Sequence, residues 1–61
     1  MFKILVVEDE KDLNRTMCSF LSRCGYEAVG ALNANEAYDE MYGQIFDLII
    51  SDIMMPGIDG N

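Results

Sequence analysis

The 61-residue sequence has no histidine, two cysteines and only four basic side chains. Each shortage removes a class of function. Without histidine, and with no CxxC pair, zinc-ligand spacing is absent. Cys18 and Cys24 do not suit a disulfide: on one helix they stand roughly 9 Å apart along the axis, whereas a bridge needs α-carbons within ~7 Å. They read as ordinary semi-buried thiols of a reducing compartment. Lys3, Lys11, Arg15 and Arg23 are scattered, so no basic patch offers to neutralise phosphates, and direct nucleic-acid binding is not expected. No apolar run approaches the ~20 residues of a membrane span, and no signal-peptide pattern opens the chain. Internal repeats, low-complexity stretches and linkers are also missing. A soluble, cytoplasmic chain is the expectation.

What is present is apolar and acidic. Half the residues are apolar, which argues against disorder, and 11 acids give a formal charge of −7. A chain of this length forms one domain at most and buries only about 60% of its unfolded surface, so its core is small. The surplus acid is either a solvated surface or a set of carboxylates converging on a cation.

Phe2-Lys3-Ile4-Leu5-Val6-Val7 is a nearly continuous apolar run, suited to a parallel strand covered on both faces. It ends in three acids, Glu8-Asp9-Glu10. Leu13, Met17, Phe20, Leu21 and Cys24 then fall at offsets 0, 4, 7, 8 and 11, one face of an amphipathic helix. Gly25 stands where a C-terminal glycine cap belongs, and the acids at the start suit the helix dipole. Tyr26 to Ala31 alternates weakly, as an edge strand does. Asn33 and Glu36 resemble a capping box. Ala34, Ala37, Tyr38 and Met41 make a second short helix, which Gly43 is expected to end. Asp47-Leu48-Ile49-Ile50-Ser51 is a third strand.

The order β-α-β-α-β implies a parallel α/β sheet, and right-handed crossovers limit the arrangements. The strand characters favour the order 2-1-3 with one helix on each face. The third strand reads as interior, yet nothing after it can pair with its free edge, so the chain looks like the front half of a larger doubly wound domain.

In that order strands one and three are neighbours about 4.8 Å apart, and Glu8, Asp9 and Asp52 emerge at one carboxyl-end rim. Open α/β sheets bind ligands at that rim. Three acids crowded there repel one another unless a cation intervenes or protons are taken up. Oxygen ligands without His or Cys favour Mg²⁺ or a similar ion such as Mn²⁺, and Met54 can add a backbone carbonyl. Carboxylates form aspartyl-phosphates, and a metal that neutralises phosphoryl oxygens permits in-line attack. Asp52, alone at its strand end, is the natural nucleophile, with Glu8 and Asp9 holding metal. The competing account makes Asp52 a turn residue or helix cap and Pro56, Gly57 and Gly60 ordinary loop residues.

At these residues the chain resembles the receiver domain of two-component response regulators. The likeness runs from Lys3-Ile4-Leu5-Val6-Val7-Glu8-Asp9-Glu10 to Asp52-Ile53-Met54-Met55-Pro56-Gly57-Ile58-Asp59-Gly60. The second stretch is the more specific. The resemblance implies a flavodoxin-like sheet of order 2-1-3-4-5, of which residues 1–61 form a partial domain. It makes Asp52 the phosphoacceptor of a sensor histidine kinase. Asp9, Asp52 and the Met54 carbonyl would ligate Mg²⁺, with Glu8, where the family often has Asp, acting mainly through water. Pro56 and Gly60 shape the loop, and phosphorylation would bias a two-state surface that an output domain reads. The family's Ser or Thr after strand four, its aromatic switch residue and its Lys after strand five have no counterpart here. Lys3 and Lys11 match neither position. By that likeness the chain is not an enzyme but a phosphoacceptor, impaired by itself.

Two rival readings remain open. The fragment could act through its free third-strand edge, as an edge-paired or swapped homodimer. A Mg²⁺-dependent phosphohydrolase could use the same acids, but no second acid/base group stands two positions after Asp52, where Met54 sits.

Overall fold

The structure, a computed structural model, describes residues 1–51. Its elements are β1 (Lys3–Val7), α1 (Lys11–Arg23), β2 (Glu27–Ala31), α2 (Ala34–Gly43) and β3 (Leu48–Ser51). The three strands form one parallel sheet in the order β2-β1-β3. The expected fold class and strand order therefore hold.

β1 is central because its run of apolar residues can be buried on both faces. Leu5 and Val6 are fully buried, each contributing roughly 1.5–3 kcal/mol of burial free energy. Alternation along the strand sends Leu5 and Val7 to one side, where they pack with Ala31, Ala37, Val29, Met41 and Phe46. α2 covers that face. α1 packs against β2 and β1 on the other face, where the Gly30 backbone meets Asn14 and Cys18.

Local chemistry sets the helix ends. After Cys24, Gly25 takes φ 98°, a left-handed conformation that glycine adopts without steric cost. The Tyr26 N–H then donates to the Leu21 carbonyl (3.1 Å) and the Gly25 N–H to the Ser22 carbonyl (3.0 Å), a Schellman closure. At α2 the Asn33 side chain accepts the Glu36 N–H (2.9 Å). The Glu36 carboxylate accepts from Leu32 N–H (2.9 Å), one residue before the position a capping box predicts. α2 ends at Gly43, as expected, without a left-handed turn there. Gly43 belongs to the helix, and the extended Gln44 follows as cap, its N–H on the Glu40 carbonyl.

The expected helix faces hold in part: Met17, Leu21 and Met41 are half-buried, but other members need correction. On α1 the buried position is Asn14, while Leu13 and Cys24 are exposed and Phe20 is 64% exposed. On α2 Ala37 is buried but Tyr38 is 66% exposed. For Tyr38 the reason is the bare side of the sheet: it stands at a groove beside Ile49, and no α-carbon of either helix lies within 8 Å of one on β3. Leu48 and Ile49 are each 46% exposed, and this apolar groove lies between α2 and β3, lined by Ala37, Tyr38, Met41 and Ile49 among others. Both cysteines are free thiols, Cys18 half-buried and Cys24 exposed rather than semi-buried. Among the described residues no helix is long and apolar enough to cross a membrane.

Candidate functional site

The carboxyl end of β1 carries the candidate site. Val7 pairs with Ala31 of β2 on one side and Ser51 of β3 on the other. Past the strand, the Glu8 N–H still donates to the Ala31 carbonyl (3.0 Å), which extends the β1–β2 ladder by one bond. Glu8 is therefore held at the sheet rim, with only 5% of its surface exposed.

Its carboxylate points toward the start of α1. Glu8 Oε2 accepts the Glu10 N–H (3.0 Å). Glu10 is the N-cap of α1 and makes no side-chain cap of its own, so Glu8 satisfies a donor that the helix start would otherwise leave unpaired. The positive end of the helix dipole favours a carboxylate there. Asp9, between the two, is exposed to solvent. One acid is thus anchored and the next is free to meet a ligand from solution.

Asp52 follows Ser51 in the sequence, and Asp52, Met54, Pro56 and Gly60 lie outside the described residues. Among the described residues no three His, Cys, Asp or Glu side chains gather as a metal site. The donor set at the β1 end consists of carboxylate oxygens, the chemistry that a small hard cation takes. Glu8 and Asp9 fit such an ion.

One residue of this site was not anticipated. Asn14, buried on α1, directs its amide nitrogen at the Ala31 carbonyl (2.8 Å), the Glu8 carbonyl (3.0 Å) and, more weakly, the Val6 carbonyl (3.4 Å). The signal that could have found it is Gly30: a glycine inside a strand marks a place where another group approaches closely. A Cβ at Gly30 would run into Asn14 Oδ1 and lie 3.2 Å from its Cγ.

Residues 4–61 match the response regulator receiver domain. The chain belongs to that family. VanRB, a regulatory protein of Enterococcus faecalis, is 37% identical over 97% of this chain and 27% of its own length. CpdR, a response regulator receiver protein of Brucella abortus, is 35% identical over 98% of this chain and half of its own. ResD, a transcriptional regulatory protein of Bacillus subtilis, is 43% identical over 95% and 24% respectively. Among solved structures, the response regulator TrrA of Thermotoga maritima, in complex with Mg²⁺-BeF, is similar with a TM-score of 0.81 and 41% identity over 95% of this chain and 50% of that one. The chain thus spans between about a quarter and a half of the length of these relatives. Receiver domains are signalling phosphoacceptors.

Proposed function

We propose that this chain is the front part of a cytoplasmic receiver that takes a phosphoryl group on Asp52 from a sensor histidine kinase. The observation that carries this is the register at the rim. Val7 and Ser51 are paired partners on adjacent parallel strands, and the residues next in sequence are Glu8 with Asp9, and Asp52. Glu8, Asp9, Asp52 and the Met54 backbone carbonyl are the residues that would hold Mg²⁺, and the Mg²⁺-BeF complex of TrrA supports that choice of ion. When bound, the ion neutralises phosphoryl oxygens during transfer. An Asp52 carboxylate oxygen attacks phosphorus and forms an acyl phosphate, while the N–P bond of the kinase's phosphohistidine breaks and its electron pair returns to the imidazole. Glu8, whose carboxylate is hydrogen-bonded to the Glu10 N–H, would offer the ion an anchored oxygen, and solvent-exposed Asp9 would offer a second.

VanRB and ResD are regulators several times the length of this chain, so we assign the response to an output domain beyond the receiver. No Lys, Ser or Thr follows Asp52 in the sequence, and the 61-residue chain by itself should hold a phosphoryl group poorly. The test is replacement of Asp52 by Asn in the whole gene product. Hydroxylamine-sensitive label from the kinase is expected to vanish, and its survival on an aspartate would contradict the assignment.

A second reading has its own observation. The outer edge of β3 is unpaired among the described residues, and Leu48 and Ile49 beside it are half exposed. A second copy pairing there across a two-fold axis would give a continuous six-stranded sheet. Sedimentation of the 61-residue chain is expected to show a dimer, and a compact, well-folded monomer at high concentration would count against this reading.

A further inference from the structure

Asn14 does more than fasten a helix to a sheet. Asn14 is only 6% exposed, and its amide lies under the carboxyl ends of β1 and β2. The orientation of the amide follows from its partners: three carbonyl oxygens surround one end, so that end must carry the NH₂. The other end, Oδ1, accepts from the Cys18 thiol (3.6 Å). The Ala31 carbonyl takes both this amide and the Glu8 N–H. Glu8 is consequently held on both sides, by its N–H and by its carbonyl. The Glu8 carbonyl and the Asp9 N–H belong to one planar peptide unit. A hydrogen bond that fixes the carbonyl therefore fixes the plane from which Asp9 departs.

We propose that Asn14 is the positioning residue of the acidic rim: through the Glu8 carbonyl it sets the backbone from which Glu8 and Asp9 reach a divalent cation, and Gly30 leaves it the room to do so. The proposal rests on the cation reading of these acids. An apolar side chain at position 14 could fill the same space. It would take the amide donor away from the Glu8 carbonyl, leave the Ala31 carbonyl with the Glu8 N–H alone, and loosen the hold on the Glu8–Asp9 peptide plane. Gly30 makes this separable from the acids themselves, because it lies on β2 and its added methyl would meet Asn14 and, at 3.3 Å, the Cys18 sulfur.

The experiment compares the wild-type chain with Gly30→Ala, Asn14→Ala, the double variant and Asp9→Asn. Two quantities are read: the Asp9 backbone amide resonance of the folded, metal-free chain, and Mn²⁺ affinity by electron paramagnetic resonance. Gly30→Ala and Asn14→Ala are each expected to move the Asp9 resonance and to weaken Mn²⁺ binding roughly tenfold, the size typical when a group that orients a ligand is lost. The double variant should be no worse than Asn14→Ala, since Gly30 acts through Asn14. Ala37→Gly, on the far helix, should lower stability and leave both readings unchanged, which separates positioning by Asn14 from a general loss of stability. Gly30→Ala, the milder change, carries the test if Asn14→Ala does not fold. A wild-type resonance and affinity in both variants would overturn the proposal, as would a full Gly30→Ala effect in the Asn14→Ala background. Mn²⁺ binding that is absent, or indifferent to Asp9→Asn, would instead overturn the cation reading, and the Asp9 resonance would then decide the positioning role alone.

Discussion

At the scale of single residues, burial and hydrogen bonding divide look-alike groups into different roles. Glu8 and Asp9 are adjacent acids, yet Glu8 is anchored on the Glu10 N–H and Asp9 faces solvent. The two thiols divide in the same way. Burial pushes the Cys18 thiol up from its ordinary value. The folded chain therefore favours the protonated thiol. Stability from this source is complete below the unfolded thiol's pKa and is lost as pH rises through the raised one. Thiolate is the reactive form, so iodoacetamide at about pH 8, near the usual cysteine range, should modify exposed Cys24 well before Cys18. Urea should abolish the difference, and equal native rates would show that Cys18 is not shielded. The acids at the rim were legible in the sequence because a strand's end is marked by where its apolar run stops. Asn14 was not, because a polar residue one place from an apolar stripe reads as surface until its carbonyl partners are located.

At the scale of elements, strand and helix identities followed from periodicity and caps, and the misjudged features were those that depend on neighbours. The Gly25 and Asn33 signals marked helix ends correctly because each acts within a few residues. Asn33→Ala removes the acceptor for the Glu36 N–H and should cost about 1 kcal/mol. Urea unfolding would read this as a lower midpoint at unchanged slope, and an unchanged midpoint would show that the cap adds nothing. Phe20 and Tyr38, by contrast, lie on faces that the 3.6-residue period makes apolar, yet both remain largely exposed. Periodicity reports which face is apolar and cannot report whether a partner covers it. β3 is the contrasting case: its Leu-Ile-Ile run reads as interior with a free edge, and its side chains are accordingly half exposed where the described sheet offers no neighbour beyond it.

At the scale of the whole molecule, the sheet order β2-β1-β3 is what gathers chemistry from distant parts of the sequence. Residues 8 and 9 and the end of β3 come to one rim because both strands run parallel and pair in the register Val7 to Ser51. That placement, rather than the surplus of negative charge, is the reason to read these acids as an ion site. The most direct test is to treat the whole gene product with its kinase or acetyl phosphate in Mg²⁺, trap the acyl phosphate with borohydride and map the reduced residue by mass spectrometry. Reduction at position 52, absent when EDTA replaces Mg²⁺, is the predicted result. Reduction at Glu8, Asp9 or any other acid, or trapping at Asp52 without a divalent cation, would contradict it.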